Sequence, residues 1–155
     1  MKNSIKVQLG DIYAISTKKG LGFLQFVKSP ENEKNDVELV KVSYDLHTKI
    51  PDDIERFFLK DFFYLQFPVK AALKKGIIDF VKNIDLPRDF VAPRYFRTEH
   101  YLHRAEWLII DKKTNEVEHV KSLTEEQLKF SPNSVWNDTY LKERLEEGWK
   151  LENWK

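Results

Sequence analysis

Two apolar runs, Leu9–Ile15 and Leu21–Lys28, stand five residues apart, and that spacing constrains the fold more than any other feature of the chain. A connection this short joins antiparallel strands, because a parallel crossover needs a dozen residues or more. Ile12 and Ala14 share one face of the first run, Tyr13 and Ile15 the other, which is the period of a strand. The joining residues Ser16-Thr17-Lys18-Lys19-Gly20 are polar and end in glycine, as a hairpin loop does. Gly22 falls inside the second strand, where it marks a bulge or a close approach by another part of the chain. Gly20-Leu21-Gly22 beside two lysines also invites a phosphate-loop reading. Such a loop needs glycines that open a helix, so that several N–H groups converge on the anion. Here the strand-like Phe23-Leu24-Gln25-Phe26-Val27 follows instead, and the hairpin is the better reading.

The rest of the chain continues in short elements. Ser29–Asp36 has no apolar residue and reads as a loop. Val37–Leu46 alternates, with Val40, Val42, Tyr44 and Leu46 on one side and Lys41, Ser43 and Asp45 on the other, which predicts a half-buried strand. Phe57–Phe67 is mostly aromatic and reads as one or two buried strands, although a helix fits the same run. Pro68 opens a short helix that Gly76 closes, the usual asymmetry of proline and glycine at helix ends. Ile77–Val81 returns as a strand, and a connector from Asn83 leads through Pro87 to Pro93. Ala105–Ile110 and Glu116–Lys121 predict a second hairpin. Thr124 and Gln127, flanked by Leu123 and Leu128, form the capping box and hydrophobic staple of a helix start. A last helix is expected from Asn133 or Ser134 to Glu147, stopping at Gly148, with Trp136, Tyr140, Leu141 and Leu145 on one side. Asp138 and Lys142 form a favourable i,i+4 pair on it.

These elements predict one α+β domain over residues 1–155: a curled antiparallel sheet of at least five strands, a small partial barrel, with short helices mainly toward the C-terminus. Ile12, Leu24, Val40, Val42 and Leu108 are expected in its core. The absence of cysteine excludes disulfides and thiolate metal sites. Net charge is +1 and spread along the chain, which argues against a nucleic-acid partner that needs a basic field. The N-terminal residues lack the apolar run of a signal peptide, and no stretch has the length of a membrane helix. The expectation is a cytoplasmic protein with no membrane partner.

Catalytic chemistry is hard to assemble from these residues. Glu99-His100-Tyr101-Leu102-His103 suggests metal ligands, with Glu106 as a further oxygen donor. A zinc site wants three protein ligands at defined spacing, however, and His47 and His119 are remote in sequence. The expectation is therefore no metal and no cofactor. No serine lies in a nucleophile elbow, and there is no thiol. Asp52-Asp53 and Glu125-Glu126 have structural explanations in a turn and a helix cap, while Asp61 and Asp79 sit within apolar runs. The segment Arg88–Arg97 combines arginines, prolines and aromatics, residues that anchor protein interfaces. Arg94, Tyr95 and Arg97 are its candidate partner-binding residues, weighed against an ordinary exposed connector whose arginine stems cover aromatic surface.

Several segments together carry a resemblance. Gly10-Asp11-Ile12-Tyr13-Ala14-Ile15 leads to Gly20-Leu21-Gly22-Phe23-Leu24-Gln25; Phe67-Pro68-Val69-Lys70-Ala71-Ala72-Leu73-Lys74-Lys75-Gly76 follows; then Asn83-Ile84-Asp85-Leu86-Pro87 and Pro93-Arg94-Tyr95-Phe96. In this the chain resembles the immunity protein 26 family of bacterial polymorphic-toxin systems, over roughly residues 9 to 96. The resemblance implies a non-enzymatic protein whose partner is a cognate protein toxin, a nuclease being one option, which it binds and neutralises. It supplies no catalytic residues. Two other readings stand beside it: a small-barrel module that binds nucleic acid or a peptide, and a hydrolase using His100, His103 and nearby acids.

Overall fold

A computed structural model describes residues 6–31 and 37–155, so most of the loop expected at Ser29–Asp36 lies outside the described residues. The protein is α+β, built mainly of antiparallel sheets that do not close into a barrel. It divides into two compact units, Met1–Phe90 with Val135–Trp149, and Val91–Ser134 with Lys150–Lys155.

The first unit begins with the hairpin that the short Ser16–Gly20 loop dictates. Strands β1 (Asp11–Thr17) and β2 (Gly20–Lys28) pair antiparallel, followed by β3 (Leu39–Ser43) and β4 (Phe62–Gln66). Helix α1 (Val69–Lys74) leads to β5 (Ile78–Asn83), which returns beside β1, giving the sheet order β4-β3-β2-β1-β5. Register shifts at Ile12/Tyr13 and Phe26/Lys28 bend these strands and increase their twist, which curls the sheet. Ile12, Ala14 and Phe23 on one face pack with Ile54 and Phe58, and with the half-buried Leu21, Phe57, Val81 and Ile84.

Helix α2 (Asp138–Glu147) packs on β1. Asn137 caps it, its Oδ1 accepting from the Tyr140 N–H at 2.7 Å, and Gly148 ends it in the left-handed conformation at φ 74°. Leu141 and Leu145 are buried. Gly22 belongs to this contact: a Cβ there would lie 2.9 Å from Leu145 Cδ1. The glycine therefore marks a close approach, since its pairing with Ile15 is regular. Phe63 on β4 meets Trp136 and Trp149 at ring distances of 5.6 and 4.9 Å.

The residues of the Gly-Asp-Ile-Tyr and Asn-Ile-Asp segments form one knot. Gly10, at φ 93°, donates to Phe26 O and accepts from the Ile84 N–H at 3.1 Å. A Cβ on it would lie 2.3 Å from Ile84 O. Asp11 accepts from Tyr13 OH at 3.0 Å and from Asn83 Nδ2 at 2.8 Å, while Gln25 Nε2 donates to Gly10 O and Ile84 O. These bonds tie β1 and β2 to the end of β5.

In the second unit, β6 (Tyr95–Glu99), β7 (Trp107–Asp111) and β8 (Val117–Val120) form an antiparallel meander, and β9 (Ser131–Pro132) pairs parallel to β6. The 112–115 turn works because Asn115 adopts φ 64° and Asp111 accepts the Lys113 N–H at 2.9 Å. No helix of the described residues is long and apolar enough to cross a membrane.

Five expectations need correction. The aromatic run Phe57–Phe67 starts as a 3-10 turn, Ile54–Phe58, breaks at Asp61 (φ 61°) and only then becomes β4. Asp61 and Asp79 are exposed, because the first sits in that break and the second on an edge strand. Strand β3 is buried on both faces, since Phe58 and the rings of Phe62 and Phe90 cover Lys41. The capping box is made, Thr124 and Gln127 exchanging bonds of 3.0 and 3.1 Å, but one 3-10 turn (Gln127–Lys129) follows it before Ser131 and Pro132 pair with β6. Helix α2 starts late because Trp136 N–H donates to Gln66 O, extending the chain along β4. Of the expected core residues, Ile12, Leu24, Val40 and Val42 are fully buried, and Leu108 is half-buried.

Candidate binding site

The segment Arg88–Arg97 splits into three different environments. Phe90 contributes its ring to the Lys41 enclosure, 5.4 Å from Nζ. From Tyr95 onward the chain is strand β6, paired with β7 and, from Phe96, with β9, so the expectation of an unpaired connector is corrected there. The prolines Pro87 and Pro93 precede the strand, where a missing N–H breaks no ladder bond.

Arg94 and Tyr95 form an exposed pair at the start of β6. Strand pairing sets Tyr95 opposite Asp111, and this brings the Asp111 carboxylate to the Arg94 guanidinium. The contact is bidentate, Nε to Oδ1 at 2.9 Å and Nη2 to Oδ2 at 2.8 Å. Arg94, together with the Lys113 and Thr114 N–H groups, holds the Asp111 carboxyl well below the usual carboxylate range. Two of the five guanidinium N–H donors are thereby engaged. The guanidinium also stands 5.2 Å from the centre of the Tyr95 ring, which stacks on Phe130 at 5.6 Å and 20°. The Arg94 side chain is 44% exposed and Tyr95 38%, so a fixed arginine–aromatic stack faces solvent.

Arg97 has no solvent exposure, and its placement at a partner surface is corrected. It points to the opposite face of β6 from Phe96, into the centre of its unit. Nε donates to Phe130 O at 3.0 Å, Nη2 to Leu128 O at 3.1 Å and Leu151 O at 3.0 Å, and Nη1 to Trp154 O. Its guanidinium lies between the rings of Trp107 and Trp154, at 4.7 and 4.3 Å. A planar fork with five donors can satisfy that many carbonyls, and a point charge cannot.

Sequence separation hid one cluster. Pairing of Leu108 with His119 and of Glu99 with Trp107 brings β8 alongside the 100–106 turn. His119 packs against His100 at 4.3 Å and His103 at 5.7 Å, and His100 meets His103 at 4.7 Å. Glu106 reaches His103 Nδ1 at 3.6 Å and His119 Nε2 at 3.3 Å. The rings lie tilted or stacked on one another, and among the described residues no group of three or more His, Cys, Asp or Glu side chains is placed to hold a metal ion.

The lysine loop between β1 and β2 is closed by its own hydrogen bonds. Thr17 Oγ1 donates to Gly20 O at 2.8 Å and accepts from the Lys19 N–H, while the Lys18 N–H donates to Glu146 Oε2 at 2.7 Å. The Lys18 and Lys19 backbone N–H groups are thus engaged within the protein, the first by a carboxylate of α2. An open groove of about 350 Å³ lies here, lined by Ser16, Lys18, Thr139, Lys142 and Glu143 among others. Of the remaining α2 acids, Glu147 pairs with Arg144 at 2.7 Å.

Comparison with family models, with characterised proteins and with solved structures finds no match to this chain. Of the residues at the site, Arg94 and Tyr95 were legible as interface types, whereas Asp111, Phe130 and His119 join their neighbours only through strand pairing and packing.

Proposed function

We propose that this protein is a non-enzymatic binder that neutralises a cognate protein toxin in the cytoplasm, as the immunity protein 26 family that it resembles would. The observation that carries the reading is the Arg94–Tyr95–Phe130 stack. Binding energy concentrates in a few arginine and aromatic anchors. An anchor already held in one conformation loses little freedom on association. Tyr95 is fixed from below by Phe130 and from the side by Arg94, which Asp111 fixes in turn. Arg94 keeps three N–H donors for a carboxylate or carbonyl of the partner.

The test is calorimetric titration of the wild type, Arg94→Ala and Tyr95→Ala against candidate toxins drawn from the genes flanking this chain's own, with folding checked by circular dichroism. Each substitution is expected to weaken binding by about thirtyfold, the equivalent of about 2 kcal/mol. Folded variants that both bind within about threefold of wild type would remove this surface from the reading. Absence of any complex, together with salt-dependent retention on nucleic acid, would replace the reading altogether.

A further inference from the structure

The turn between β6 and β7 is built around an imidazole. His100 Nδ1 accepts two backbone hydrogen bonds, from the Leu102 N–H at 3.0 Å and the His103 N–H at 3.1 Å. A ring nitrogen accepts only while it carries no proton. His100 thus serves the turn as an Asn side chain serves an Asx turn, with the difference that its acceptor can take up a proton. The turn is otherwise held by two backbone bonds, His100 N–H to Glu106 O and Glu106 N–H to His103 O, and by Ala105 in the left-handed conformation at φ 65°.

The groups around the ring bear on the same equilibrium. Tyr101 stacks on it at 4.7 Å and His103 lies at 4.7 Å, both from the turn; His119 approaches from β8 at 4.3 Å. Glu106 is the carboxylate here, and it sits against His103 and His119. Partial burial, then the charges that His119 and His103 acquire, push the His100 imidazolium below its ordinary value, while Glu106 works the other way. Three imidazoles therefore lie together with one carboxylate that contacts two of them, so protons added to the cluster repel.

We propose that His100 is a proton-operated latch: neutral, it holds the 100–105 turn closed through the Leu102 and His103 amides, and protonated, it releases them. Protonation turns Nδ1 from acceptor to donor, so both amides lose their partner in one event, beside a φ that Ala105 keeps only while the turn is closed. The turn displays Tyr101 and Leu102 at 79% and 71% exposure, so release rearranges an apolar surface of the protein. The sign follows from the lowered value. The unfolded or opened turn binds the proton more readily than the closed one, so acid favours opening.

The experiment is amide hydrogen exchange of Leu102 and His103 between about pH 8 and about pH 5, corrected for intrinsic rates, with the His100 ring followed by NMR in the same samples. Protection of both amides is expected to fall by about tenfold or more, tracking the ring titration. His100→Asn keeps an acceptor that does not titrate, and its amides are expected to stay protected across the range. His119→Gln removes a neighbouring charge, and opening is expected to begin at higher pH. Two results overturn the latch: a His100 ring that titrates with no change in amide protection in the wild type, or the same loss of protection in folded His100→Asn.

Discussion

Replacing Arg97 separates a core arginine from an interface arginine, and the structure gives the size of the effect. Arg97→Ala leaves the carbonyls of Leu128, Phe130, Leu151 and Trp154 without their guanidinium donors inside the unit. A buried polar group stripped of its partner costs about 1 kcal/mol at the low end, which puts the four carbonyls near about 4 kcal/mol. The rings of Trp107 and Trp154 lose the cation between them, worth about 1–2 kcal/mol each. Removing a buried charge recovers its desolvation cost, and water entering the space satisfies part of the carbonyls, so the net loss is about 3–5 kcal/mol. Against a total stability of about 5–15 kcal/mol, that is a large fraction. Arg97→Lys keeps the charge but cannot fork to four carbonyls, and is expected to lose about half as much. Urea unfolding followed by tryptophan fluorescence reads this directly, with a midpoint shift of about 2 M for Arg97→Ala at an ordinary m-value. A loss below about 1 kcal/mol for Arg97→Ala, or equal losses for the two variants, would refute the carbonyl-clamp account.

Two further predictions follow the same logic. Gly10→Ala and Gly148→Ala both place a side chain at positive φ, 93° and 74°, but only the first drives its Cβ into backbone, 2.3 Å from Ile84 O, whereas nothing lies within 4 Å of the second. Gly148→Ala should cost about 1 kcal/mol and Gly10→Ala about 3 kcal/mol by urea unfolding; equal costs would mean that the Gly10–Ile84 contact contributes nothing. Burial pushes the Lys41 ammonium below its ordinary value of 10.5, so the native state carries a penalty at neutral pH that fades as pH rises toward that value. Burial and the Asp11 hydrogen bond raise the Tyr13 phenol, whose contribution is present below the ordinary tyrosine value of 10.0 and lost above it. Lys41→Met leaves Tyr13 untouched, so the stability of the wild type relative to Lys41→Met is expected to rise from about pH 7 to about pH 10. A flat difference across that range would show that Lys41 titrates as an exposed lysine.

Local pattern and turn chemistry carried much of the fold. The five-residue spacing made β1 and β2 a hairpin, Pro68 and Gly76 bounded α1, and Gly148 ended α2, because each of these rests on neighbours in the chain. Alternation placed Ile12, Leu24, Val40 and Val42 in the core for the same reason. Local signals failed where a distant partner outbid them. The Thr124 capping box forms, yet pairing of Ser131 and Pro132 with β6 stops the helix it should start. The Gln66 carbonyl draws Trp136 out of α2. The candidate site divides the same way. That Arg94 and Tyr95 belong to an interface-prone composition is a property of residue type. That Arg97, three residues along the same segment, is buried follows from four backbone carbonyls and two tryptophans contributed by positions 107 to 154. Side chains alternate across a strand, but which face meets solvent is decided by what packs on it. Strand register likewise makes neighbours of His100 and His119, and only that proximity gathers His100, His103 and His119 into a cluster beside Glu106.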